Sequence, residues 1–240
     1  MYSPVIADLH SHILPGIDDG SQDISESIAM LQSLHDQNVE IVCATPHFYT
    51  HKNTIQNFLF QRERAAKELK NAVSTDMPEL RLGAEVTYFD GISRSVSVRE
   101  LAIEGTPLLL VEMPFTPWNQ RMISDIISLN SDGHVRVILA HIERYLLLEP
   151  SSLFTQLLRN GILMQSNADF FLSKYGKRAG LRMLARGQIH AVASDSHNMQ
   201  SRPPRIAEAV NRIRSVGGED AIEQLSMFYQ EFFRIKRVLS

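Results

Sequence analysis

The sequence contains a single cysteine, Cys43, among its 240 residues. One cysteine excludes an internal disulfide framework and any metal site built from cysteines alone. An excess of charge is also missing, because 24 lysines and arginines stand against 27 aspartates and glutamates, for a net charge of −3. A chain with that balance has no overall electrostatic attraction to nucleic acid, so we expect no nucleic-acid partner.

Long hydrophobic runs are absent as well. The longest apolar stretches, such as residues 107–111, are too short to cross a bilayer, and we expect no membrane insertion. The first residues have neither a basic start nor a long apolar core, which disfavours a signal peptide and favours a cytoplasmic location. With 44% hydrophobic and 21% charged residues the composition is that of a globular protein. We expect residues 1–240 to form one domain.

Short β-branched runs alternate with longer segments of helical spacing along the chain. Seven runs have the length and composition of buried strands, at 5–9, 40–44, 80–84, 107–111, 136–140, 161–165 and 189–193. Helical spacing occurs at 23–37, 53–73, 118–129, 150–160, 172–186, 204–216 and 220–239. This alternation indicates an α/β fold with a parallel sheet, either a TIM-like (β/α) barrel or an open doubly wound sheet. No glycine-rich phosphate loop follows the first strand, which disfavours the open sheet.

Metal-ligand residue types follow nearly all of these predicted strands. They are His10, His12, Asp19, His47, Glu85, Glu112, His141, Asp195 and His197. In a parallel barrel the carboxyl ends of all strands lie on the face that holds the active site, so we expect these side chains to converge. A single histidine or strand-end aspartate is more often a structural residue or a helix cap. Their repetition at successive strand ends favours a metal site, and the sixth strand ends in polar Gln165 and Asn167 instead.

Five imidazoles and four carboxylates are too many ligands for one ion, since zinc takes about four. Two or three ions are therefore expected, and mixed nitrogen and oxygen ligands suit zinc, manganese or iron. Three divalent ions would outweigh the four carboxylates in charge, so the site would attract an anion. Neighbouring ions activate water and hold the oxygens of an in-line displacement, which points to hydrolysis of a phosphate ester.

Two arginines follow candidate ligands closely. Arg144 comes three residues after His141, and Arg202 comes five residues after His197. A guanidinium group matches the oxygens of a phosphate, and both arginines are candidates to bind one. A surface salt bridge is the alternative role for each of them.

Five motifs occur in order along nearly the whole chain. They are Asp8-Leu-His-Ser-His-Ile-Leu-Pro-Gly-Ile-Asp-Asp-Gly20, Thr45-Pro-His47, Gly83-Ala-Glu85, Ala140-His-Ile-Glu-Arg-Tyr145, and Ser194-Asp-Ser-His-Asn198 followed by Arg202-Pro-Pro204. Together they resemble the PHP (polymerase and histidinol phosphatase) superfamily. Within it the chain resembles the bacterial manganese-dependent protein-tyrosine phosphatases of capsule and exopolysaccharide gene clusters, because the tail of the first motif is typical of that branch.

The resemblance implies a distorted (β/α)7 barrel of the PHP type that holds three divalent ions. It implies manganese, with zinc, iron or magnesium left open. By resemblance, the first ion has the ligands His10, His12, Glu85 and Asp195, the second has Glu85, Glu112 and His141, and the third has Asp19, His47 and His197. Arg144 and Arg202 match positions that contact the phosphate. The adjacent Asp18 is an alternative to Asp19 as a metal ligand, and the family pattern favours Asp19.

The resemblance also implies hydrolysis of phosphotyrosine, and we hypothesise attack by a hydroxide that bridges the metal ions. The implied substrate is the tyrosine-rich tail of a membrane-associated bacterial tyrosine autokinase, so the protein would regulate capsular or exopolysaccharide synthesis. The alternative is a small-molecule phosphomonoesterase of the same fold, similar to histidinol phosphatase. A non-enzymatic metal-binding barrel is a weaker alternative, because no ligand position is lost. The oligomeric state stays open.

Aromatic residues cluster in the predicted loops near the strand ends. They are Phe48, Tyr49, Tyr88, Phe89, Phe115 and Trp118. These rings are candidates to stack on the phenyl ring of a substrate, and packing of the loops themselves is an equal alternative. Cys43 lies within the second predicted strand, so we expect a packed core residue rather than a nucleophile.

Overall fold

The structure, a computed structural model, describes residues 6–233. The strands are β1 (Ala7–Ser11), β2 (Ile41–Ala44), β3 (His47–Phe48), β4 (Glu79–Leu82), β5 (Glu85–Thr87), β6 (Leu108–Glu112), β7 (Arg136–Leu139), β8 (Leu163–Asn167) and β9 (Ala191–Ala193). The α-helices are α1 (Ile24–Asp36), α2 (Ile55–Ala72), α3 (Gln120–Ser131), α4 (Ser151–Arg159), α5 (Ala168–Leu172), α6 (Gly176–Ala185) and α7 (Ile206–Phe233). Short 3-10 helices cover Ile92–Arg94, Val96–Leu101 and Ile142–Tyr145.

Every strand pair within the described residues is parallel. One ladder has the order β1-β2-β4, and the other has the order β3-β5-β6-β7-β8-β9. The ends of this curled sheet meet at a parallel bridge between Ser11 and Ser196. Beside it, the amide of His12 donates to the carbonyl of Ser196 at 2.8 Å, and the amide of Asp195 donates to the carbonyl of His10 at 2.8 Å. The expected α/β fold with a parallel sheet is confirmed.

Two of the seven predicted strands are each followed, after a short break, by a second short strand. The run at 40–44 continues, after Thr45 and Pro46, as the separate strand β3. The run at 80–84 ends at Leu82, and β5 begins at Glu85. Proline lacks the amide hydrogen that a ladder uses, which accounts for the first break. Gly83 lies at the second break, where an added Cβ would come within 2.9 Å of Ile103.

The helices begin where the sequence supplies capping side chains. Asp23 accepts a hydrogen bond from the amide of Glu26 before α1, and Thr54 accepts one from the amide of Asn57 before α2. Asn119 caps α3 in the same way through the amide of Met122. Such side chains satisfy amides that have no partner inside the helix. The capped helices cover a buried core that includes Cys43, so the expectation of a packed cysteine is confirmed.

The helix predicted at 172–186 is observed as α6, which begins only at Gly176, and the short helix α5 ends where the prediction begins. Gly176 begins α6 so close to α5 that an added Cβ would lie 2.1 Å from the carbonyl oxygen of Phe170. Near the carboxyl terminus, the helices predicted at 204–216 and 220–239 form α7, with a break at Gly218, whose φ is 74°. The last residues of the second prediction lie outside the described range. None of the helices in residues 6–233 is long and apolar enough to cross a membrane.

Candidate metal centre

The nine candidate ligands lie at or just beyond the carboxyl ends of the seven predicted strand runs, where β3 follows β2 and β5 follows β4. His10 belongs to β1, His47 to β3, Glu85 to β5 and Glu112 to β6. His12 and Asp19 follow β1, His141 follows β7, and Asp195 and His197 follow β9. Contacts of at most 3.7 Å between ligand atoms connect all nine side chains into one cluster. The structure therefore brings together every ligand that the sequence predicted.

The first group contains His10, His12, Glu85 and Asp195. The Nε2 atoms of the two histidines are 3.2 Å apart. Each of them is 3.3 Å from Glu85 Oε2, and they are 3.5 and 3.4 Å from Asp195 Oδ1. Ligands arranged tetrahedrally about 2.1 Å from one ion lie about 3.4 Å from each other. The Nε2 atoms of His10 and His12 and Asp195 Oδ1 therefore have the spacing of ligands to a single metal ion, and Glu85 Oε2 lies beside the two histidines.

Two further groups adjoin the first. Ligand atoms of His47, Glu85 and Glu112 lie within 4.8 Å of one another, and His141 Nε2 is 2.7 Å from Glu85 Oε1 and 3.4 Å from Glu112 Oε1. Glu85 thus presents Oε2 to His10, His12 and His47, and Oε1 to His141. The last group consists of His12, Asp19, His47 and His197. His12 and His47 each lie in two groups, which the sequence did not indicate.

Several buried atoms of the cluster have no hydrogen-bond partner among the described residues. They are His47 Nδ1, Glu85 Oε2, His141 Nδ1 and His197 Nε2. Buried polar atoms are otherwise almost always paired in folded proteins. For Glu85 Oε2 and His197 Nε2, which face other candidate ligands, a bound cation is a suitable partner, since carboxylate and neutral imidazole both ligate divalent metals. The donor set therefore fits metal binding on chemical grounds as well as on distance.

The electrostatics of the cluster favour cations. Burial opposes ionisation of Glu85, yet the charge on His10 and the close imidazoles of His10, His12 and His141 hold the pKa of Glu85 well below its usual value. Burial likewise opposes protonation of His141, but Glu112 and Glu85 raise its pKa to about 9. The carboxylates thus hold protons on neighbouring imidazoles. Metal ions would displace such protons, because ligating histidines must be neutral.

Asp18 and Asp19 have different surroundings. Asp18 Oδ2 lies 2.7 Å from His12 Nδ1 and accepts a hydrogen bond from the amide of His47 at 2.9 Å. Burial opposes its ionisation, but the bond with His12 leads the interactions that lower the pKa of Asp18 to about 2. Asp19 is 68% exposed, and its Oδ1 is 3.5 Å from His47 Nε2 and 3.7 Å from His197 Nε2. Asp19 therefore lies among the ligand atoms, and Asp18 orients His12 through the Nδ1 atom of its ring.

Strand β8 contributes amides that the sequence did not assign a role. Gln165 Oε1 lies 3.2 Å from His10 Nδ1 and accepts a hydrogen bond from the amide of His141 at 2.8 Å. Its Nε2 donates to Asn167 Oδ1, and Asn167 Nδ2 donates to Asp195 Oδ2 at 2.7 Å. This amide bridge joins ligands from three elements. Partners of this kind fix the ring orientation and tautomer of ligating histidines.

Two candidate ligands have an unusual backbone. His141 has φ of 32° and Asp195 has φ of 51°, and Asn38 is the only other non-glycine residue with positive φ in residues 6–233. Such conformations cost about 1–3 kcal/mol each and concentrate at functional sites. The hydrogen bond from the amide of His141 to Gln165 and the bond from the amide of Asp195 to His10 hold both residues in place.

The two predicted arginines lie at the edge of the cluster. Nη2 of Arg144 and Nη2 of Arg202 are each 2.6 Å from Asp195 Oδ2. Arg144 Nη1 also lies 3.9 Å from Glu112 Oε1. Both side chains are about one-third exposed, so each guanidinium group faces the cluster and solvent together. Their remaining donors are available to an anion that approaches from outside.

A curled parallel sheet that gathers imidazoles, carboxylates and arginines at one edge has the architecture of a metal-dependent hydrolase of phosphate esters. The chain belongs to the family described as "Capsular polysaccharide synthesis, CpsB/CapC", whose model matches residues 6–231. This match confirms the branch that the sequence motifs indicated.

Named relatives and a solved structure agree with that assignment. The chain is 31% identical to tyrosine-protein phosphatase YwqE of Bacillus subtilis over 211 residues, covering 85% of this chain and 82% of the relative. It is 32% identical to tyrosine-protein phosphatase CpsB of Streptococcus pneumoniae over 237 residues, covering 91% and 93%. A solved structure of these two proteins, described as unique metal-dependent tyrosine phosphatases, superposes with a TM-score of 0.82 at 24% identity, covering 98% and 96%. The chain therefore shares that fold.

Proposed function

We propose that this chain is a metal-dependent protein-tyrosine phosphatase that hydrolyses phosphotyrosine in proteins. The observation that carries the proposal is the convergence of five histidines and four carboxylates with Arg144 and Arg202 at one sheet edge. The relatives in the family, which are named tyrosine-protein phosphatases, support the choice of substrate.

The three ligand groups would hold three divalent ions, and we propose manganese. His10, His12, Glu85 and Asp195 form the first set, Glu85, Glu112 and His141 the second, and Asp19, His47 and His197 the third. Bound ions of this kind supply Lewis acidity and an activated water for hydrolysis. Asp18, Gln165 and Asn167 keep the ligands oriented.

The arginines bind the phosphoryl oxygens in this proposal. Arg144 and Arg202 share Asp195 as an anchor, so their guanidinium groups are already oriented before a substrate arrives. Preorganised donors lower the cost of stabilising charge that develops on the phosphoryl group. The leaving group is a tyrosine phenolate with a pKa of about 10. It needs less help from a general acid than the oxygen of an aliphatic alcohol does.

We also propose the cellular role that the family suggests. The substrate would be the tyrosine-rich tail of a bacterial membrane-associated kinase, and the reaction would take place in the cytoplasm and regulate capsular or exopolysaccharide synthesis. The family description supports the link to capsule synthesis. A disordered tail can enter an open site with few specific contacts.

We further propose that the curled sheet closes as a distorted (β/α)7 barrel. In this count β2 and β3 form one strand, and β4 and β5 form another. The bridge from Ser11 to Ser196 joins the last strand to the first. Hydrogen exchange tests this closure. Slow exchange at the amides of His12 and Asp195 is expected, and rapid exchange at both would favour an open half-barrel.

The function is tested by assaying the protein purified with manganese on a phosphotyrosine peptide and on histidinol phosphate. We expect two or more ions per chain by metal analysis, turnover that chelation abolishes and manganese restores, and preference for the peptide. The Cys43→Ala variant is expected to keep its activity, since the buried thiol has no role in the reaction. Full activity of metal-free protein would overturn the proposal, and preference for histidinol phosphate would favour the small-molecule alternative.

A further inference from the structure

The loop aromatics predicted near the site separate into packed and available rings. Phe48, Tyr88 and Trp118 are buried. Tyr88 donates its hydroxyl hydrogen to Asp125 Oδ2 at 2.9 Å, and Trp118 donates its ring N–H to the carbonyl of Pro114 at 3.1 Å. For these three residues the packing alternative is correct. Phe89 is partly buried and packs on the same core.

Phe115 differs from those rings because it is exposed and because a buried ring, Tyr145, supports it. It is 55% exposed, on the loop between β6 and α3. Its ring centroid lies 5.5 Å from that of Tyr145, which is fully buried and donates its hydroxyl hydrogen to the carbonyl of Met113 at 2.7 Å. A large exposed ring on a rigid base keeps its orientation and still presents apolar surface to solvent.

Phe115 is also beside a phosphate-binding candidate. The Cζ atom of Arg144 lies 5.9 Å from the centre of the Phe115 ring, and Nη2 of the same side chain contacts Asp195. In an aryl phosphate, a single ester oxygen separates the phosphorus from the ring. A phosphoryl group held by Arg144 therefore brings its own aromatic ring to the neighbourhood of Phe115. Stacked and edge-to-face rings attract each other at centroid separations of about 4.5–7 Å.

Tyr49 is the other ring near the cluster, and its neighbours already contact it. Its centroid lies 5.2 Å from His47 and 5.5 Å from His51, and the amine of Lys52 is 4.4 Å from the ring centre. Phe115 has Tyr145 and the Arg144 guanidinium as ring neighbours, yet it stays 55% exposed, whereas Tyr49 is partly buried. Of the six aromatics, it has the greatest freedom to receive another ring.

We propose that Phe115 is a specificity-determining residue, which stacks on the phenyl ring of the substrate and so favours aryl over alkyl phosphate esters. This inference rests on the proposed function and adds the residue that selects the leaving group. Stacking acts on the bound substrate and on the transition state alike, so its loss raises KM and leaves kcat nearly unchanged.

The test is calorimetric titration of the manganese-loaded protein with phenylphosphonate and with methylphosphonate, which are not hydrolysed. In the Phe115→Ala variant we expect affinity for phenylphosphonate to fall about two- to tenfold, the range of one aromatic pair, with affinity for methylphosphonate unchanged. Phe115→Tyr should restore the preference, and Phe115→Leu should not. Phe60→Ala is the matched control, because Phe60 is 67% exposed on α2.

Kinetics on a phosphotyrosine peptide provide the second measurement. An increased KM with unchanged kcat in Phe115→Ala supports the inference, and a fall in kcat alone contradicts it. Equal losses for the phenyl and methyl ligands, or no loss for either, would also overturn it. Failure of the wild-type protein to hydrolyse phosphotyrosine would instead refute the proposed function, and the titrations would still decide the role of Phe115.

Discussion

Both ends of the parallel strands contain buried side chains, but these side chains differ in kind. At the amino end, β1, β2 and β6 begin with the buried apolar residues Ala7, Ile41 and Leu108. At the carboxyl end, His10 and Glu85 are buried to the same degree. Burial stabilises apolar side chains directly, whereas a buried ionisable group lowers stability unless it is paired.

The carboxyl end of the strands, which forms the candidate binding site, therefore contributes less to folding stability than the amino end does. At the carboxyl end, pairing is incomplete among the described residues, since Glu85 Oε2 and His197 Nε2 are buried without hydrogen-bond partners. The left-handed backbone at His141 and Asp195 adds strain at the same end. Substitutions at the amino end should therefore change folding stability, and substitutions at the carboxyl end should change metal affinity.

The largest expected effect comes from Leu108→Ala at the amino end. Leu108 is fully buried in β6, and removal of a buried leucine side chain lowers the free energy of unfolding by about 2–5 kcal/mol. Denaturant unfolding of the metal-free protein measures the loss, and kcat of the folded, metal-loaded variant should match the wild type. Leu147→Ala, at a residue 85% exposed, is the control and should change stability by less than about 0.5 kcal/mol. A large fall in kcat for Leu108→Ala would contradict the separation of the two ends.

A smaller effect, on metal affinity and not on folding stability, is expected from Gln165→Leu at the carboxyl end. This change removes the acceptor for His10 and for the amide of His141. Loss of such a partner lowers metal affinity about 10–100-fold. Manganese titration of metal-free protein measures it.

Two further variants test this prediction, with Gln165→Glu as a conservative replacement and Gln224→Leu as a control. The glutamate keeps an acceptor for His10 and should recover much of the manganese affinity. Gln224 donates to the carbonyl of Leu184 from α7, so its loss should leave manganese affinity unchanged. If Gln165→Leu binds manganese as the wild type does, the amide bridge does not orient the ligands.

The sequence predicted the features that depend on neighbouring residues along the chain. The run predicted at 107–111 matches β6 to within one residue, because its apolar residues, set between Thr106 and Glu112, carry the signal of a buried strand locally. The positions of the candidate ligands after the strands were likewise readable, since a parallel sheet places all carboxyl ends together. The assignment of ions to those ligands stays a prediction.

Features that depend on distant contacts were not readable. Gln165 meets His10 across 155 positions, and no local pattern marks that pairing. The separation of α6 from the short helix α5 before it depends on the close approach of Gly176 to Phe170, which periodicity does not reveal. The same holds for the aromatic loops, where only packing distinguishes exposed Phe115 from buried Trp118.

The smallest expected effect concerns pH and a histidine just before β9, away from the cluster. Burial, with a contribution from Arg136, lowers the pKa of His190 below 6.5, and its Nδ1 accepts a hydrogen bond from the amide of Met164. Below pH 6.5 the unfolded chain therefore binds a proton at this position that the folded protein resists, and stability falls as the pH falls. The His190→Gln variant keeps an acceptor but cannot titrate there. Thermal unfolding between pH 7.5 and 5.5 should show a smaller decrease in Tm for this variant than for the wild type, and equal decreases would show that His190 is not buried in its neutral form.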